Sequence, residues 1–302
     1  IESVKFTSKV TNIDKNAFKG CASLKTLTKM NEVASIGESA FEGCSSLESF
    51  VFPSNVTEVS SRVFYGCSSL SSIEVHRNIE TIGREPFSGT KWYNGQPDGI
   101  LTAGKIAFSY KGDITDIEIP LDIEKINNYA FLGCKTLKTV KLSDDVEDIG
   151  YYAFQNCTSL ESITFGVGAA LIYAGAFKGC TSLKEANCGD TMASVGYQAF
   201  YGCTSLEVFT AGEVLSEIGD YAFYDTAIKT ISLGKNVNNI GAHAFLNCKK
   251  LESFSVDEAS KSYKAVDGVL FSKNEKTLVA YPAAKAGDYE VPKNVETIAA
   301  GS

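Results

Sequence analysis

The chain has 302 residues with 28 basic and 36 acidic side chains, a net charge of −8, and only three arginines: Arg62, Arg77 and Arg84. Nucleic acid and anionic membrane surfaces require a basic face on the protein, and this balance argues against both. No stretch approaches the roughly 20 apolar residues that a membrane-spanning helix needs.

From the N-terminus, one octad recurs: A-F-K-G-C-A-S-L at residues 17–24, A-F-E-G-C-S-S-L at 40–47 and V-F-Y-G-C-S-S-L at 63–70. Further copies start at Ala130, Ala153, Ala176, Ala199 and Ala244, with degenerate ones at Pro86 and Ala222. The anchors Phe18, Phe41, Phe64 and Phe87 are 23 residues apart, as are Phe131, Phe154, Phe177, Phe200 and Phe223; the step to Phe245 is 22. A fixed period of this length predicts a solenoid, in which each coil buries its apolar side chains only against its neighbours. The whole chain, 1–302, then reads as one array. Ile1 falls in a leucine slot and Ser302 in the slot before an anchor, which suggests a section of a longer array, with any signal or anchor outside it.

Within a coil, the leucine opens a segment in which apolar residues alternate with Ser or Thr, as in Ser72–Val75, Thr139–Leu142 and Thr230–Leu233. Period two with β-branched residues predicts a short strand, one per coil, stacked into a single parallel sheet about 4.8 Å from strand to strand. A second apolar ladder follows, Val33/Ile36, Val56/Val59, Val146/Ile149 and Leu215/Ile218 among its members, usually with Gly after the second residue. Glycine there is expected to allow a change of direction. The few residues that remain before Ala-Phe fit one helical or 3₁₀ turn on the outer side, with Phe directed inward.

The array is interrupted twice, at about 90–113 and 262–282. Both stretches contain D-G-[I/V]-L, a polar turn and a second apolar run ending at Tyr110 or Tyr281. Each is read as an inserted β-hairpin.

The combined pattern, L-x-x-[I/F]-x-[F/L/V] followed by V-x-x-I-G-x-x-A-F-x-G-C-x-S-L, resembles the BspA-like branch of the leucine-rich repeats over nearly the whole chain. The resemblance implies a leucine-rich-repeat solenoid, a curved β/α superhelix, in a cell-surface or secreted protein. It also implies adhesion to a host extracellular matrix protein or to another cell's surface protein. Function carried by fold analogy has to be located in a site.

Eight of the nine cysteines share one repeat position. They spread along the stack instead of converging, so neither a zinc site nor any other metal or cofactor is expected, and a buried ladder of reduced thiols is. His243 falls in the polar pair before Ala-Phe and is expected to be an exposed turn residue. No nucleophile, base and acid are brought together by the repeat, and no enzyme is expected.

The candidate site is the outward side of the sheet. Its residues are Thr26 and Thr28, Ser49 and Val51, Ser72 and Glu74, Asp116 and Glu118, Thr139 and Lys141. They continue with Ser162 and Thr164, Glu185 and Asn187, Thr210, and Thr230 and Ser232. The first hairpin supplies a second candidate in Trp92, Tyr93 and Tyr110. Two other readings stand beside protein binding: a rigid spacer that projects another domain, and a carbohydrate-binding surface.

Overall fold

The computed structural model describes all 302 residues as two compact units, Ile1–Gly112 and Asp113–Ser302. In the first unit, the strands Ser3–Lys5 and Thr26–Thr28 pair in parallel, as do Ser49–Val51 and Ser72–Glu74. Their register joins residues 23 positions apart, Leu27 opposite Val4 and Ile73 opposite Phe50. In the second unit, Asp116–Glu118, Thr139–Lys141, Ser162–Thr164, Glu185–Asn187 and Val208–Thr210 form a five-stranded parallel sheet in that order. Thr230–Leu233 and Ser253–Val256 form a further parallel pair. Each unit is thus a parallel β-solenoid with the repeat in register.

Each regular coil contains a second strand where one was expected. The two-residue strands Asn12–Ile13 and Ser35–Ile36, and Glu58–Val59 and Thr81–Ile82, pair in the first unit. In the second, Lys125–Ile126, Asp148–Ile149, Leu171–Ile172, Ser194–Val195, Glu217–Ile218 and Asn239–Ile240 run as one parallel ladder. Two residues are too few to show alternation in a sequence. Stacking at strand spacing nevertheless pairs any extended dipeptide with its counterpart in the next coil.

The outer side is built from hydrogen-bonded turns, not from helix. Along one such turn, the amide of Ala40 bonds to Gly37, Glu42 to Ser39 and Cys44 to Phe41. The amides of Ser39, Phe41 and Gly43 bond instead to Ser61, Val63 and Tyr65 of the next coil. Bonds therefore alternate between closing the turn and joining coils. The cause is the backbone: Ser39 and Gly43 have φ of 56° and 74°, and two left-handed residues in five preclude a right-handed helix. Where the second slot lacks glycine it holds Asn156, Asp225 or Asn247, residue types that tolerate this conformation.

The glycine after the second ladder has a different function from the one its position suggested. Gly83 and Gly219 have ordinary φ, but a Cβ would lie 2.3 Å from the amide nitrogen of Ser61 and 2.6 Å from that of Tyr197. Glycine is needed there because adjacent coils approach closely, not because the chain reverses.

Inside, the anchor rings stack nearly parallel. Centroids of Phe41 and Phe64 are 5.5 Å apart, those of Phe131 and Phe154 4.7 Å, and those of Phe177 and Phe200 5.2 Å. Eight cysteines line up behind them, and all nine thiols, Cys188 included, are free. The Sγ of Cys67, Cys157, Cys180 and Cys203 donates to the carbonyl of a Phe one coil back, at 3.0–3.1 Å. Burial pushes the Cys203 thiol up to about 12, the behaviour of a small hydrophobe with a weak donor.

The interruptions are more elaborate than two hairpins. The first opens with a one-turn helix, Lys91–Asn94, capped by Thr90, whose hydroxyl accepts from the Tyr93 amide. An antiparallel pair follows, Gly99–Ala103 with Ile106–Lys111. The second is a three-stranded antiparallel meander, Tyr263–Val266, Val269–Ser272 and Thr277–Ala280, and Thr297–Ile298 then pairs in parallel with its last strand. The extra strand arises at Asp267-Gly268, where both residues have positive φ and close a two-residue turn.

Candidate functional site

The outward side chains of the strands stand in columns because the pairing is in register. In the second unit, Asp116, Thr139, Ser162, Glu185 and Val208 form one column, and Glu118, Lys141, Thr164, Asn187 and Thr210 the other. The residue between each pair, Ile117, Val140, Ile163, Ala186 or Phe209, is buried. Thr230 and Ser232 stand over Ser253 and Ser255 in the same way. In the first unit, Thr26 and Thr28 flank Leu27, Ser49 and Val51 flank Phe50, and Ser72 and Glu74 flank Ile73, with all six flanking residues exposed.

Much of this polar face is satisfied within itself. The Thr139 hydroxyl donates to Asp116 at 2.5 Å, Lys141 to Glu118 at 2.6 Å and Thr210 to Asn187 at 2.7 Å; the hydroxyls of Ser232 and Ser255 are 2.9 Å apart. Hydrogen bonds from Thr115 and Thr139 hold the Asp116 carboxyl below the usual range, and Glu118 raises the Lys141 ammonium. At the rim, Lys184 pairs with Glu161 at 2.9 Å, and Lys229 and Lys250 both reach Glu207, at 2.7 and 3.2 Å. The face is a small-residue, hydroxyl-rich and mildly acidic surface, with Glu74, Asp116, Glu118 and Glu185 against Lys141.

The aromatic candidates of the first insertion are half-buried and engaged with the solenoid. The Trp92 ring meets Phe87 edge-on at 5.1 Å and stacks on Phe108 at 6.5 Å, and its amide donates to the Leu70 carbonyl. The Tyr93 hydroxyl lies 3.1 Å from that of Ser109, and Tyr110 sits in the hairpin opposite Ile100.

His243 is not an exposed turn residue. It is half-buried, stacks on Tyr221 at 4.8 Å, and lines a pocket of about 240 Å³ with Ile240, Phe245, Val279, Ala300 and Gly301. His76 has its Nε2 2.7 Å from the Pro53 carbonyl in the other unit. No group of three or more His, Cys, Asp or Glu is placed to hold a metal ion.

Sequence reasoning missed the turn edge of the second unit. The variable slots around Ala-Phe hold Tyr129, Tyr151, Tyr152, Tyr197, Tyr201, Tyr221 and Tyr224. Their rings pair between coils: Tyr129 with Tyr152 at 5.6 Å, Tyr197 with Tyr221 at 6.2 Å, and Tyr201 with Tyr224 at 4.6 Å. Tyr129, Tyr151 and Tyr197 are each more than 40% exposed, in slots read only as polar turn positions. The available signal was the recurrence of tyrosine at 20–24-residue spacing in those slots.

No helix is long and apolar enough to cross a membrane. No curated protein matches the chain. Among solved structures, a leucine rich cell surface protein from Faecalibacterium prausnitzii A2-165 is 26% identical, with a TM-score of 0.52, over 66% of this chain and 57% of that one. The chain thus spans little more than half of that relative. A leucine-rich repeat protein from Eubacterium ventriosum ATCC 27560 is 22% identical with a TM-score of 0.47, covering 89% of this chain and 87% of that one. The pneumococcal vaccine antigen PcpA is 18% identical with a TM-score of 0.34, covering 98% and 74%. The family model described as BspA type leucine rich repeat region matches six copies, over residues 1–94, 102–192 and 170–276. With 23-residue coils, stacked phenylalanines and this match over most of its length, the chain belongs to the BspA type leucine-rich repeat family.

Proposed function

We propose that the chain is a non-enzymatic interaction module of a cell-surface or secreted protein, and that it binds a protein of the host matrix or of another cell through its sheet face. The supporting observation is the pair of side-chain columns over the second unit's five-stranded sheet, exposed or half-exposed and small enough for a partner's backbone to approach. Extended faces of this kind are what solenoids use for large partners. Polar groups already paired in the free chain favour specificity over strength, because a partner must replace Thr139–Asp116 and Thr210–Asn187 with bonds of its own. The repeat family supplies the rest of the reading, a scaffold without catalytic machinery.

The test is binding of the folded chain to immobilised matrix proteins and to whole cells. Lysine substitutions at Thr139, Ser162 and Glu185 are expected to weaken a sheet-face contact at least tenfold while leaving the fold intact. Binding that ignores all three removes the sheet face from the reading. A chain that binds no protein or cell leaves the spacer.

A further inference from the structure

The turn edge of the second unit carries an aromatic cluster that the sheet-face reading does not use. Tyr197 and Tyr201 come from one turn and Tyr221 and Tyr224 from the next, and their rings lie 4.6–6.2 Å apart. Two carboxylates belong to the same turns. Asp220 is exposed, in the slot one coil below Tyr197, and Asp225 directly follows Tyr224. Burial raises the Tyr201 phenol, with smaller contributions from the Tyr224 phenol and the Asp225 carboxylate. One cation is already present: Lys178 Nζ is 4.8 Å from the Tyr201 ring centroid and donates to Gln198 at 2.7 Å.

The same slots in the first unit show what this chemistry holds. Tyr65 follows Phe64 as Tyr201 follows Phe200. The Arg62 guanidinium lies over the Tyr65 ring at 3.8 Å, with Glu42 at 3.2 Å and Glu85 at 3.4 Å. A guanidinium between a tyrosine face and two carboxylates is thus the chain's own solution at this edge. Residues 113–302 contain no arginine; there the slots of Glu42 and Glu85 hold Lys178 and Tyr221, and the carboxylates beside the tyrosines are Asp220 and Asp225, in neighbouring slots.

We infer that the Tyr197–Tyr224 cluster is a second interaction surface, independent of the sheet face, and that its partner is an arginine-bearing segment of another protein. Tyrosine faces attract cations through their quadrupole, and the planar guanidinium of Arg adds stacking and a bidentate donor fork that the Lys ammonium lacks. Asp220, Asp225 and the net charge of −8 supply the long-range attraction.

The test uses the full chain and two labelled probes, nona-arginine and nona-lysine, titrated at low and at physiological salt. Nona-arginine is expected to bind more tightly than nona-lysine. Tyr197→Ala with Tyr221→Ala should weaken it about tenfold, through loss of the exposed Tyr197 ring and of the half-buried Tyr221 ring that meets it edge-on. Tyr197→Phe should retain binding, and Asp220→Asn should lose a few-fold. Lys178→Ala should tighten it more than the distant control Lys184→Ala does, because only Lys178 occupies a ring. The fold of each variant is read from its thermal transition, and the Phe, Asn and Lys178 variants stand as tests even if the double alanine chain does not fold. Equal binding of the two probes overturns the inference, as does a double alanine variant that folds and binds unchanged. Binding of a neutral oligosaccharide such as cellohexaose, lost on the same tyrosine substitutions and competing with nona-arginine, would make the cluster a glycan surface and also overturn it.

Discussion

The turn edges of the two units have one shape and two chemistries. Around Phe64 the variable slots hold an ionic network, with Arg62 reaching Glu42 and Glu85 and lying over Tyr65. Around Phe200 and Phe223 the corresponding slots hold Tyr197, Tyr201, Tyr221 and Tyr224, and only Lys178 supplies a cation. The backbone beneath is shared: Arg62 and Gln198 have φ of 55° and 54°, and Gly66 and Gly202 have 71° and 70°. Shape is therefore set by the repeated residues, and surface chemistry is left to the slots between them. That separation lets the surface chemistry change from coil to coil without altering the coil itself.

If shape is common to both units, its anchors should be equally costly to remove. Phe64→Ala and Phe200→Ala delete rings that are fully buried and stacked on both sides, so each is expected to destabilise its unit by about 3–5 kcal/mol. Urea unfolding measures both. A cost below about 1 kcal/mol for either would mean that the coils do not depend on the stack there.

The close approach behind the second ladder is the next largest effect. Gly83→Ala and Gly219→Ala would place a methyl 2.3 and 2.6 Å from backbone nitrogen of the neighbouring coil, and backbone there cannot turn aside. Each is expected to cost about 1–3 kcal/mol, read as a lowered urea midpoint. Tyr173 occupies the same slot, and Gly175, two residues on, leaves the space in which the Tyr152 ring lies, 2.3 Å from where a Cβ would be. Gly175→Ala should therefore displace Tyr152 and disturb its stack on Tyr129.

How much of this was legible follows from the same division. The Phe, Cys and Leu slots announce the coil because they repeat, and burial forces them to. The columns from Thr26 to Ser232 follow from strand alternation alone, which sets them on either side of buried strand centres such as Phe50 and Val140. The second strand ladder was hidden because Ser35–Ile36 or Glu58–Val59 is too short to alternate. Left-handed Ser39, Tyr152 and His243 were hidden because nothing in those residue types demands positive φ; the coil imposes it, at a cost of order 1–2 kcal/mol per residue. The tyrosine cluster was hidden because Tyr201 and Tyr224 are neighbours only after stacking, and variable slots read as solvent. The D-G turn at Asp267-Gly268 was a visible hairpin signal that was absorbed into too simple an insertion.

The smallest effect is also the sharpest test of the difference between the two edges. Arg62 holds the Glu42 carboxyl down at about 2, below the usual carboxylate range near 4.3, with help from hydrogen bonds to Ser39 and Lys19. Glu42 is ionised in both folded and unfolded chains above about pH 5, so the pair's contribution is fully present there. It is lost as the pH falls toward 2, because the unfolded chain takes up the proton first. Arg62→Ala is expected to lower the urea midpoint modestly at neutral pH, as for a solvent-screened network. The difference between wild type and variant should shrink through pH 4 and vanish near pH 2 in a series of urea titrations. Tyr201→Ala, at the equivalent edge of the second unit, should show a much smaller acid limb, because Lys178 there bonds to the Gln198 amide and not to a carboxylate. A pH-independent cost at Arg62 would place its contribution in packing on Tyr65 instead, and the two edges would then differ in composition but not in the force that orders them.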